Sequence, residues 1–149
     1  MKFSTREDIS APIEQVYDAL VDFDAFERAV LRRGLDAVRV DNLGAPGVGM
    51  QWKSKFKFRG KPRNMISEVT TLDRPERFVL TSQVSGLDAV VSLDLLALSP
   101  RQTRVSLDVE IKPTSLSSRL FLQSLRLAKA GLNRRFKKGF HKYLHSTVG

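Results

Sequence analysis

The chain has no cysteine. That excludes disulfides, thiolate zinc sites and a cysteine nucleophile, and it leads us to expect a reducing, cytoplasmic setting. Histidine is scarce, with two residues, His141 and His145. No run is long and apolar enough to span a bilayer. The first ten residues, MKFSTREDIS, lack the apolar stretch of a secretory signal and read as a strand. Acid is missing from two whole segments. Residues 51–63 carry Lys53, Lys55, Lys57, Arg59, Lys61 and Arg63 with no Asp or Glu, and no acid occurs from Lys112 onward. The rest is ordinary for a globular protein: 149 residues, 42% hydrophobic, 28% charged, net charge +9. That size suits one domain over 1–149 with its own core. The uneven charge points either to an anionic partner (nucleic acid, a membrane surface, an acidic protein) or to a basic, solvated face.

Periodicity divides the chain. Residues 2–10 alternate as a strand, with Phe3, Thr5, Glu7 and Ile9 on one face. Pro12 suits a first helical position, where its missing N–H has no partner to lose. Val16, Ala19 and Leu20 make the stripe of a short helix. Asp24 and Glu27 form a capping-box pattern for a second helix that ends at Gly34, after Arg32 and Arg33. Val38 and Val40 then alternate with Arg39 and Asp41, and residues 43–49, LGAPGVG, form a loop with no Gly-Lys-Ser/Thr to make it a phosphate cradle. Two strands, 49–59 and 62–72, flank a turn at Gly60-Lys61. That register pairs Phe56 with Met65, Ser54 with Ser67, Trp52 with Val69 and Lys53 with Glu68. Further strands cover 78–85, 87–98 and 103–112, and Pro113-Thr114-Ser115 closes the last and can cap a helix after it. Residues 116–145 read as one long helix whose seam runs through Phe121, Leu125, Ala128, Leu132, Phe136, Phe140 and Tyr143. Leu116, Leu120 and Leu127 form a second stripe away from it.

The order is strand, two short helices, six antiparallel strands and a long closing helix. With ISAPIEQVYDALVDFDAFERAV, PGVGMQW, EVTTLDRPERFVL and the closing LSSRLFLQSLRLAKAGLNRRFKKGFHKYL, it resembles the START-like or SRPBCC superfamily, and within it the polyketide cyclase/dehydrase-like bacterial proteins. The resemblance covers nearly the whole chain. One departure is Ala11, where similar sequences often carry Ser or Asp, so the cap of the first helix must come from Ser10 or water. The resemblance implies an α+β helix-grip fold, a curved antiparallel sheet of about seven strands wrapped around the C-terminal helix. Between them it implies a cavity that binds lipids, sterols, polyketides or other apolar molecules. Some members are cyclases, hydrolases or oxygenase subunits.

From the residues alone, the inward phase holds Phe3, Thr5, Glu7, Ile9, Met50, Trp52, Ser54, Phe56, Met65, Ser67, Val69, Leu80, Ser82, Val91, Leu93, Leu107 and Val109, faced by Leu125 and Leu132, and all of these but Glu7, Ile9 and Val69 are the expected ligand lining. Such a lining suits an apolar ligand with a small polar group. It would equally fill a solid core, and the resemblance is what favours a cavity. Glu7 is the one carboxylate in an inward phase and so the candidate acid or base. No in-phase His or second carboxylate accompanies it, and no base stands ready to activate Ser54, Ser67 or Ser82. His141 and His145 have the i, i+4 spacing of metal ligands. No acid lies near them in sequence, and Lys137, Lys138 and Lys142 repel a cation, so no metal and no cofactor is expected. Whether the chain is an enzyme stays open.

In residues 50–58, MQWKSKFKF, strict alternation puts Met50, Trp52, Phe56 and Phe58 on one face and the lysines on the other. Aromatics and bases on opposite faces cannot act on one nucleic-acid strand. The aromatic face reads as pocket wall, and nucleic acid is not an expected partner. The lysine face and the basic end of the helix keep open a weak contact with an anionic membrane or an acidic protein. The sequence does not set the oligomeric state.

Overall fold

In the computed structural model, residues 1–32, 34–58 and 60–148 are described. Arg33 and Arg59, expected as a last-turn base and an outer-face base, lie outside that set, as does the side chain of Phe58. The elements are β1 (Lys2–Ile9), α1 (Ile13–Leu20), α2 (Phe23–Arg32), β2 (Asp36–Arg39), β3 (Gln51–Phe58), β4 (Lys61–Asp73), β5 (Arg77–Val84), β6 (Leu87–Ser99), β7 (Gln102–Pro113), α3 (Leu116–Leu125) and α4 (Lys129–Val148). A seven-stranded antiparallel sheet runs in the order β1-β7-β6-β5-β4-β3-β2. It curves around the C-terminal helix, which is the expected helix-grip architecture.

Several local expectations shift. Pro12 is the N-cap of α1 rather than its first residue, and its carbonyl accepts from the Val16 N–H. No side chain caps this end. Helix α2 starts one residue before the expected Asp24, because Asp22 Oδ1 accepts from the Ala25 N–H at 3.1 Å. That releases Glu27 from the capping role.

In the β3–β4 hairpin, Phe58 pairs with Lys61, so Gly60, at φ 75, is the residue before the second strand. The expected register is off by two. Phe56 faces Arg63, Ser54 faces Met65, Trp52 faces Ser67, and Lys53 faces Ile66 rather than Glu68. A slip of two preserves every side chain's face, because the pleat repeats every two residues. Glu68 instead accepts from Gln51 Nε2 at 2.6 Å. On β2 the valines face outward, with Val38 53% exposed, and Arg39 and Asp41 turn toward the protein.

The C-terminal helix is tightened over Arg126–Ala128 into a 3-10 turn between α3 and α4. Residues 126–130 are all exposed, so no packing against the sheet holds this stretch to α-helical spacing. Ser115 caps α3 as expected, in a reciprocal capping box with Ser118. The β5–β6 turn reaches this cap. Ser85 and Gly86 both have positive φ, the pattern of a type I′ hairpin. A Cβ on Gly86 would lie 2.9 Å from Ser115 Oγ, so glycine is what allows the approach.

Candidate functional site

Two spaces between sheet and helix are lined by expected positions, and a separate groove of about 580 Å³, lined by Met1, Pro113, Arg119, Leu122, Gln123, Arg126 and Lys129, is not. The larger of the two is a cavity of about 540 Å³ at the hairpin end. Among the described residues it is lined by Phe56 from β3, Arg63 from β4, Val84, Ser85 and Leu87 around the β5–β6 turn, Ser117, Ser118, Phe121 and Leu125 from α3, and Leu132 from α4. The smaller is a pocket of about 170 Å³ at the α1 end. Its walls include Trp52, Leu80, Val91, Leu93 and Leu107 from the sheet, Phe23 and Phe26 from α2, and Phe140 and Tyr143 from α4. The outer cavity lies where the sheet curves away and the helix over 126–130 is exposed.

Eight of the expected lining positions therefore line one space or the other: Phe56, Leu125 and Leu132 the outer cavity, and Trp52, Leu80, Val91, Leu93 and Leu107 the inner pocket. The others lie outside both linings. Met50 is fully buried in the core, and Phe3 is buried against Phe136 with ring centroids 5.6 Å apart. Ser67 and Ser82 are buried with their hydroxyls 2.8 Å apart, so each satisfies the other. Thr5, Ser54, Met65 and Val109 are half-buried.

Sequence reasoning missed Arg63 as a lining residue. The signal was available. Arg63 shares the parity of Met65, Ser67 and Val69 on β4, whereas the odd-numbered lysines of β3 face outward. Grouping Arg63 with that basic run hid the change of face across the hairpin. Its Nε is buried and has no hydrogen-bond partner among the described residues.

The inner pocket is held by a polar frame. Trp52, 3% exposed, donates its indole N–H to Glu27 Oε1 at 2.8 Å. The Arg39 guanidinium lies 5.9 Å from the Trp52 ring centre and donates to both carboxylate oxygens of Asp41 at 2.7 Å. Asp41 also accepts from the Leu43 and Gln51 N–H groups, both at 2.9 Å. The Arg39 hydrogen bonds, followed by that from Gln51, hold its carboxyl far below the usual carboxylate range. Tyr17 donates its hydroxyl to the Arg77 carbonyl at 3.0 Å, and burial pushes its phenol up.

Glu7 faces neither space. Its Oε1 lies 3.0 Å from His141 Nδ1 and its Oε2 lies 3.8 Å from His145 Nε2. The fold thus brings to the two histidines the acid that is absent near them in sequence, and the three ligand atoms lie within 4.8 Å of one another. One carboxylate and two imidazoles at this spacing could bridge a divalent cation. The set is open to solvent on the most basic part of the chain, and its hydrogen bond already accounts for the arrangement. It works here as a clamp between β1 and α4. Because the carboxylate lies outside both volumes, Glu7 has no geometry for acid or base work inside them.

A curved sheet gripping a C-terminal helix defines a helix-grip fold. The chain belongs to the family described as polyketide cyclase/dehydrase and lipid transport, whose model matches residues 1–143. Solved structures share the fold. The protein TTHA0849 from Thermus thermophilus is similar over 100% of both chains at 18% identity, with a TM-score of 0.67. Norcoclaurine synthase from Thalictrum flavum gives 0.63 at 8% identity, over 85% of this chain and 81% of that one. The Zhui aromatase/cyclase from Streptomyces sp. R1128 gives 0.58 at 12% identity, over 77% and 69%. No curated protein matches the chain. Among the described residues, no helix is long and apolar enough to cross a membrane.

Proposed function

We propose that this chain binds an apolar small molecule or lipid between its sheet and its C-terminal helix. The observation that carries this reading is the 540 Å³ cavity walled by Phe56, Val84, Leu87, Phe121, Leu125 and Leu132. Its size is in the range of small-molecule sites, and its apolar walls with few polar groups are what such sites have. Family membership supports the same reading. Native mass spectrometry of the purified protein, with thermal-shift measurements against fatty acids, sterols and aromatic polyketides, tests it. A retained ligand or a raised melting temperature is expected. No retained mass and no shift with any of these classes would defeat it.

Cyclase, dehydratase or hydrolase chemistry in the same cavity is the alternative, and the likeness to an aromatase/cyclase fold keeps it in view. Its weakness is chemical, since no carboxylate or histidine stands among the described lining residues to move a proton. A second alternative rests on Leu116, Leu120 and Leu127, which are 72%, 58% and 97% exposed beside Arg119 and Arg126. An apolar stripe flanked by bases suits contact with an anionic membrane. Co-sedimentation with anionic but not neutral vesicles is its test, and equal or absent binding to both would remove it.

A further inference from the structure

We propose that the occupant of the outer cavity carries an oxyanion headgroup, a carboxylate or a phosphate monoester, and that Arg63 receives it. The inference rests on the reading that this cavity holds an apolar molecule. Three observations carry it. First, Arg63 is a cation in an otherwise apolar and hydroxyl lining, and no acid stands among the described lining residues to pair with it. Second, its Nε is shielded from solvent and has no hydrogen-bond partner among the described residues. A buried N–H on a charged group is costly unless an acceptor meets it, and none of the described residues supplies one. Third, the cavity lies between the two segments of the chain that carry no acid. The two acid-free segments, 51–63 and 112–149, hold fifteen of the chain's 25 Lys and Arg residues. In the fold these segments are the β3–β4 hairpin and α3–α4, the two walls between which the cavity opens. Neither segment brings an acidic residue to oppose an anion held at Arg63.

The chemistry then selects the headgroup. Guanidinium presents Nε and a terminal nitrogen as a planar fork, which matches two oxygens of a carboxylate or phosphate. A neutral alcohol or ketone offers one acceptor and leaves the charge uncompensated. The hydroxyls of Ser117 and Ser118 are already engaged at the start of α3. Ser118 is held by Ser115 in the capping box, with Ser117 Oγ 3.2 Å from Ser115 Oγ.

Isothermal titration with decanoate, decyl phosphate and decanol tests this in wild type, Arg63→Gln and Arg63→Lys. In wild type at least one of the two anions should bind about tenfold or more tightly than decanol, the scale of a charge-assisted hydrogen bond. Whichever anion binds more tightly identifies the headgroup. Arg63→Gln should bring anion and alcohol within about twofold of each other, and Arg63→Lys, with charge but no fork, should keep part of the preference. Should Arg63→Gln fail to fold, the wild-type preference and the Arg63→Lys series still decide. Equal binding of anion and alcohol in wild type, or a preference that survives in Arg63→Gln, overturns the headgroup and leaves the apolar-ligand reading standing. No binding of any of the three overturns both.

Discussion

The two ends of the space beneath the C-terminal helix use the same sheet and the same helix, yet one is filled and the other is open. At the α1 end, Phe23 packs on Trp52 and Phe78 at 5.4 and 5.8 Å, and Phe140 and Leu144 close the floor. About 170 Å³ is left. At the hairpin end no second layer of helices covers the sheet, and about 540 Å³ remains beneath a helix whose residues 126–130 are exposed. The polar groups differ in the same sense. At the closed end Glu27, Arg39 and Asp41 satisfy one another and the indole, whereas at the open end Arg63 leaves a buried donor unmet. Stability is concentrated at one end, and capacity for a ligand at the other.

The largest expected effect breaks that contrast directly. Leu144 is fully buried, so Leu144→Ala should cost about 2–5 kcal/mol in urea unfolding through lost transfer and the cavity left behind. Leu132→Ala, at a half-buried position already facing open space, should cost about 1 kcal/mol or less. It should weaken ligand binding instead. Equal losses of stability at the two positions would mean that the hairpin end is also packed.

Next comes the indole. Glu27→Ala leaves the buried Trp52 N–H without its acceptor, which should cost about 1–3 kcal/mol. Trp52 fluorescence should shift as its surroundings change. A variant as stable as wild type, with unchanged emission, would show that Glu27 does not hold the ring.

Acid should loosen the closed end. Asp41, Asp8 and Asp18 all have folded-state pKa values lowered by hydrogen bonds from their arginine partners, Arg39, Arg104 and Arg74. For a lowered carboxyl, the unfolded chain binds more protons in acid. The stabilisation is therefore complete above about pH 4, the unfolded carboxylate range, and is lost as pH falls below it. The melting temperature should drop as pH falls from about 4 to about 2, and Asp41→Asn should flatten the largest part of that drop. Parallel curves for the variant and wild type would assign the acid sensitivity elsewhere.

How far these features can be read from sequence depends on which interactions set them. Strand parity is legible, because period-two alternation records burial directly, and so Trp52, Phe56, Leu93 and Leu107 face inward as expected. Register is less so. Gly60 marks the turn, but its place within it is decided by geometry that a slip of two leaves invisible to the hydrophobic pattern. Glu27 looks like a cap in sequence and is drawn away by a tryptophan 25 residues distant. Alternation of Val38 and Val40 with Arg39 and Asp41 does not say which side of β2 is inner, and the Arg39–Asp41 pair takes that side, because Asp41 also meets backbone donors of the neighbouring loop and strand. The break at Arg126–Ala128 has no sequence mark, since it reflects what the helix does not touch.

The smallest effect belongs to the residue that sequence reasoning marks as the candidate acid or base. Glu7 and His141 are partly solvated, with side chains 22% and 58% exposed, and such pairs contribute about 0–1 kcal/mol. Glu7→Gln should therefore change unfolding free energy by less than about 1 kcal/mol. Because its carboxylate lies outside both volumes, ligand affinity should stay within about twofold of wild type, since no contact contributing to ΔG of binding is lost. A large loss of binding or turnover in Glu7→Gln would place the carboxylate in the site after all. It would require the C-terminal helix to move relative to β1, because in the present arrangement Glu7 is held to His141 on the helix's far end. Comparing Glu7→Gln with Arg63→Gln thus separates the two ends by function as Leu144→Ala and Leu132→Ala separate them by stability.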